Sequence, residues 1–162
     1  MLPKTHTILI KNARAMKQLA ATIARQLSKQ RTQPTMSTHS RATVVALSGD
    51  LGAGKTTFAQ GFLKELGVKT HVSSPTFLII RPYRLDLTPN PIPFTLAFHI
   101  DCYRLNKPEE LLALGFKEIL KNPKHIVLIE WPELVKKYLP PGTRWINIEH
   151  PKKGTHRTVS VR

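Results

Sequence analysis

Residues 46–67 read ALSGDLGAGKTTFAQGFLKELG, and their reading decides the fold. Within them Gly49-x-x-x-x-Gly54-Lys55-Thr56 matches the Walker A pattern without a gap. Before it lies a continuous apolar run at 43–47, which reads as a buried strand. After it, Phe58, Phe62, Leu63 and Leu66 mark the buried side of a helix that Gly67 caps. In such a loop the glycines let backbone N–H groups converge on phosphate oxygens, a task shared with the start of the helix. Lys55 reaches the β and γ phosphates, and the Thr56 hydroxyl ligates Mg²⁺. A dinucleotide fold fits less well, because Gly52-x-Gly54 is followed by Thr57 where a third glycine belongs.

Working outward, residues 7–10 predict a short strand and 13–28 a helix, with Ala15, Leu19, Ile23 and Leu27 at four-residue spacing. The polar stretch 29–41 predicts a loop. Runs at 77–80 and 94–100, joined by the proline-rich LTPNPIP, predict an antiparallel hairpin. Pro108, with Glu109 and Glu110 in the first turn, predicts a helix over 108–120. Further strands are expected at 126–129, 145–148 and 158–161. Strands interleaved with helices give an α/β class: a three-layer P-loop fold whose central sheet is mixed, mainly parallel, with an antiparallel hairpin. A chain of 162 residues suits one domain, closed by a basic segment at 151–162.

The charge is unusual. Lys and Arg number 25 against 10 Asp and Glu, a net +15, with no acid before Asp50. Such a balance suits a polyanionic neighbour or simply a soluble basic surface. The acid-free start has a transit-peptide composition, but its helical periodicity assigns it to the fold. No apolar stretch approaches the ~20 residues that span a bilayer. The single cysteine, Cys102, fits a reducing compartment, so a cytoplasmic protein is expected.

A nucleotide-hydrolysing site also needs an acid near the metal. Asp101 closes the strand ending His99-Ile100, and Glu130 closes the apolar run 126–129, a Walker B arrangement with Glu for Asp. Trp131 offers a flat face for a purine. Ser74-Pro75-Thr76-Phe77 precedes a strand, where hydroxyls can sense the γ-phosphate or metal. Asn106-Lys107-Pro108-Glu109 imitates a guanine-reading motif but reads better as a helix start. The seven histidines lack metal-ligand spacing, and Cys102 reads as a buried thiol rather than a nucleophile.

Taken in order, GDLGAGKTTFAQGFLKELG, SPTF, FHIDCYRL with PEELLALGF, and LIEWPE resemble the TsaE (YjeE) family over roughly residues 10–148. Members are small bacterial P-loop ATPases of tRNA threonylcarbamoyladenosine (t6A) biosynthesis. The resemblance implies a role beside a TsaD–TsaB complex, whose modification of tRNA adenosine 37 the ATPase sustains. It implies that Gly49, Gly52, Ala53, Gly54, Lys55, Thr56 and Thr57 hold the phosphates, with Thr76 beside them. Thr56 and Glu130 would hold magnesium, and Asp101 would lie close to the metal and the attacking water. Trp131 would stack on adenine, with the start of the first helix on the other side. Cys102 stands where the family usually has Leu, the 29–41 stretch is longer than usual, and the chain is more basic.

The expectation is therefore a Mg-dependent ATP-binding and hydrolysing subunit, with Lys55, Asp101 and Glu130 as its catalytic groups. A small-molecule kinase is the rival enzyme, though no segment supplies a second pocket and an Arg-bearing lid. A nucleotide-independent RNA-binding module is the non-enzymatic rival. It predicts basic strands interleaved with aromatics, which are not evident.

Overall fold

The computed structural model describes residues 6–32, 40–85, 93–150, 154 and 156–162. In chain order the elements are β1 (His6–Ile10), α1 (Ala13–Thr32), β2 (Thr43–Ser48), α2 (Lys55–Glu65), β3 (Ile80–Arg84) and β4 (Leu96–Asp101). They continue as α3 (Pro108–Ala113), α4 (Phe116–Lys121), β5 (His125–Glu130), a 3₁₀ segment (Pro132–Tyr138), β6 (Arg144–Glu149) and β7 (Arg157–Val161). All seven strands share one sheet in the order β1-β7-β6-β2-β5-β4-β3. Its core, β6-β2-β5-β4, is parallel. The additions at its margins, β7, β1 and β3, are antiparallel.

Strands β2 and β5 read as unbroken apolar runs because both sheet faces are covered, as parallel strands require. Side chains alternate between the faces. Val45 and Leu47 join Met16, Ile23, Phe58 and Phe62 under α1 and α2. Val44 and Ala46 join Leu111, Phe116, Leu120 and Val135 under α3, α4 and the 3₁₀ segment. Three layers follow. Helices α1 and α2 touch closely at Gly61, where a Cβ would lie 2.5 Å from the Lys17 backbone.

Three expectations change. Helix α1 runs to Thr32, past the predicted end at residue 28, because Arg31 donates to the carbonyls of Arg41 and Pro123. Residues 33–39 of the predicted loop lie outside the described residues, as does most of LTPNPIP. The hairpin pairing of β3 with β4 stands, but β3 begins only at Ile80. Phe77 and Leu78 are instead 82% and 64% exposed in a turn whose Leu78 and Ile79 amides donate to Pro75 O at 2.8 and 2.7 Å. Finally, the helix expected over 108–120 is split by Gly115, at φ 81°, into α3 and α4.

Candidate nucleotide site

The loop between β2 and α2 lies at the carboxyl end of the parallel core. Its first glycine, Gly49, packs directly on β6, where a Cβ would stand 2.2 Å from Ile148 O. No side chain fits there. From the end of the same strand, His150 Nε2 donates to Gly52 O at 3.0 Å. Ala53 N donates to Asp50 O at 3.1 Å, and Gly54 O accepts from Phe58 N at 2.9 Å as α2 begins.

Lys55 opens α2 and is buried. Its Nζ donates to Gly49 O at 2.6 Å and Asp50 O at 2.9 Å, and lies 3.8 Å from the centre of the Trp131 ring. Burial pushes this ammonium below its ordinary value, opposed by the nearby charges of Glu130, Asp101, Glu133 and Asp50.

The two acids predicted from strand ends meet here. Asp101 and Glu130 end adjacent parallel strands as register partners, and both are buried. Thr56 Oγ1 donates to Glu130 Oε1 at 3.4 Å. Asp101 Oδ2 accepts from Ser74 Oγ at 2.7 Å and Thr76 Oγ1 at 2.6 Å, and Oδ1 accepts from Tyr103 N at 2.9 Å. The SPTF loop is thus tied by its hydroxyls to one of the two acids. No cluster of three or more His, Cys, Asp or Glu able to hold a metal occurs among the described residues. Two carboxylates beside a threonine hydroxyl still fit Mg²⁺, which keeps water and phosphate oxygens as further ligands.

Two clefts border the loop. One, of about 350 Å³, is lined by Lys55, Thr56, Thr76, Asp101, Glu130 and Trp131. The other, of about 150 Å³, is lined by Asn12, Ala13, Met16, Gly52, Gly54 and Thr57. Trp131 lines the first cleft and the start of α1 the second, and the two clefts meet at Gly52, Gly54 and Thr57. Trp131 is held beside Lys55 by a left-handed backbone, φ 57°, as the chain turns from β5 into Pro132. A larger groove of about 710 Å³ lies between Lys17, Lys64 and Lys69, apart from every residue of the loop.

Other sequence features resolve plainly. Asn106 N and Lys107 N both donate to Glu110 Oε1, so that stretch is a helix start. The buried Cys102 thiol is pushed up to about 12, first by burial and then by Asp101 and Glu133, which leaves it inert as a nucleophile. Sequence reasoning missed His99, His150 and Tyr103. Of these, His99 had a usable signal: it lies two residues before Asp101 and so shares its sheet face.

A family model described as "Threonylcarbamoyl adenosine biosynthesis protein TsaE" matches residues 10–159. Curated proteins named "tRNA threonylcarbamoyladenosine biosynthesis protein TsaE" are similar to the chain. The one from Rickettsia felis is 43% identical over 107 residues, covering 65% of this chain and 57% of that protein. The one from Haemophilus influenzae is 38% identical over 110 residues, 68% of this chain and 65% of that protein. The match thus spans less than two thirds of these relatives. A solved structure described as "Crystal structure of Bacillus subtilus YdiB" superposes with a TM-score of 0.68 at 26% identity, covering 99% of this chain and 86% of that one.

Proposed function

Because the chain belongs to the TsaE family, we propose that it binds Mg·ATP and hydrolyses it to sustain t6A formation on tRNA adenosine 37. Its partner is a TsaD–TsaB-type complex in the cytoplasm. The observation that carries this reading is the Asp101–Glu130 register pair set against Lys55 and Thr56 at the mouth of the glycine loop. No helix among the described residues is long and apolar enough to cross a membrane.

In this reading Lys55 leaves the carbonyls of Gly49 and Asp50 for the β and γ phosphates, which Gly52, Ala53 and Gly54 cradle through their amides. Thr56 and Glu130 hold the magnesium, with Asp101 close by. When bound, that ion neutralises charge developing on the phosphate oxygens. Asp101 orients the attacking water, and Ser74 and Thr76, now on its Oδ2, respond to the γ-phosphate. Walker loops place the α-phosphate nearest the second threonine, so the sugar and base extend past Thr57. The base then occupies the cleft at the start of α1, and Trp131 covers the phosphate end.

The test is phosphate release by the protein alone, then with the TsaD–TsaB complex and tRNA, alongside t6A yield per complex. Hydrolysis stimulated by the assembly, with yield rising above one turnover, is the expected result. An assembly that modifies tRNA repeatedly without this protein, or with its Lys55→Ala variant, overturns the reading.

A further inference from the structure

We propose that His99 is a positioning residue: it holds the Glu130 carboxylate in the orientation that magnesium binding requires. The proposal rests on the Mg·ATP reading above and adds a group to it. His99 Nε2 lies 2.8 Å from Glu130 Oε1, and the imidazole is fully buried, with 0% exposure. Its other nitrogen, Nδ1, has no hydrogen-bond partner among the described residues. A lone pair on Nε2 would face the carboxylate oxygen repulsively. Nε2 therefore carries a proton and donates it to Glu130.

Strand register explains how His99 reaches its target. On β4, Ala97 faces α1 and α2, so His99 and Asp101 face the same way. His99 sits opposite Leu128 and bonds diagonally to Glu130, two positions further along β5. The carboxylate is thereby held between an imidazole beneath and the Thr56 hydroxyl at the loop. Without the imidazole, the hydrogen bonds to Glu130 among the described residues reduce to the 3.4 Å contact with Thr56, and the carboxylate is held less firmly.

Packing alone is a poor account of this residue. A leucine or phenylalanine fills a buried site without orphaning a nitrogen, and an unpartnered buried polar atom is destabilising. What the histidine supplies and an apolar residue does not is the donor aimed at Glu130. Outer groups that orient a metal's ligand typically change metal affinity by about 10–100-fold when removed.

The test compares His99→Gln, whose amide nitrogen reaches near the position of Nε2, with His99→Asn, whose shorter amide does not, and His99→Leu. Calorimetry with a non-hydrolysable ATP analogue is run across a magnesium series and in EDTA. Asn and Leu should raise half-saturating magnesium by about tenfold or more, while Gln stays close to wild type. Affinity in EDTA should be unchanged in all three. If Leu does not fold, the Asn and Gln pair decides, since both are amides. Asn and Leu indistinguishable from wild type across the magnesium series overturns the proposal alone, as does an equal loss in EDTA. Wild-type binding indifferent to magnesium overturns the nucleotide reading as well.

Discussion

Asp101 and Glu130 end neighbouring parallel strands in direct register, so two buried carboxylates leave one sheet face side by side. They are nevertheless served by different partners. Asp101 is bound by the SPTF hydroxyls and the Tyr103 amide, Glu130 by His99 and Thr56. A shared face with separate supports suits two roles, one toward a metal and one toward a water.

Replacing either acid by its amide keeps shape and removes charge. Glu130→Gln and Asp101→Asn should still bind nucleotide, while phosphate release falls at least about a hundredfold. Asp101→Asn should also need more magnesium. Nucleotide affinity and phosphate release measured together across a magnesium series check this. Wild-type hydrolysis in both variants refutes the assignment.

Lys55 is costly to bury, which predicts a separation of stability from binding. Its proton is held less tightly in the folded protein than at the ordinary 10.5 of the unfolded chain. Between the lowered value and 10.5 the unfolded state binds more protons, so this group strengthens folding as pH rises through that window. Lys55→Met should remove that slope and leave the nucleotide-free melting midpoint at neutral pH undiminished. The same variant should lose ATP-induced stabilisation. Melting curves with and without Mg·ATP, from neutral to alkaline pH, read both effects.

Trp131 faces Lys55 rather than the α1 cleft, so it should not choose the base. Stacking on a purine is worth about 1–3 kcal/mol, and Trp131→Ala should lose less than that with an unchanged ratio of ATP to GTP affinity. Its effect should fall on hydrolysis, through loss of the ring that confines Lys55 Nζ. A changed base preference in competition titrations would restore the stacking role.

Gly61 offers a contrast that avoids the site's chemistry. A methyl group there meets the Lys17 backbone at 2.5 Å, and overpacking of this kind costs about 1–3 kcal/mol. Gly61→Ala should lower the unfolding free energy by that amount and shift the urea midpoint down accordingly, as urea unfolding will measure. A midpoint equal to wild type shows that α1 and α2 separate freely.

Much of this was legible because it is local. The glycine loop, the apolar runs of β2 and β5, and an acid after each of two strands are patterns of consecutive residues. What stayed hidden depends on distant partners. The run 77–80 has strand propensity throughout, yet hydroxyls of Ser74 and Thr76 reach Asp101 and the chain turns at Pro75. Ile79 then adopts φ 62°, unusual for a β-branched residue, with its carbonyl accepting from Asp101 N at 2.9 Å. Trp131 follows Glu130 in the chain, but the left-handed turn that sets its ring beside Lys55 Nζ is not legible in composition. Gly115 is legible in the sequence as a possible break, and its φ of 81° realises it.

The floor beneath Gly49 is Ile148 O, and the brace on Gly52 is His150, both supplied by a strand that follows the loop late in the chain. The phosphate motif is complete at Thr56, yet its support is delivered only after β3, β4 and β5 have been made. During synthesis the ribosome thus releases a finished motif long before a finished cradle. Closing so long a segment carries its entropy before the contacts reward it, so docking of β6 should be a late folding event. A nascent chain stalled before β6 displays every glycine of the loop and should capture no nucleotide.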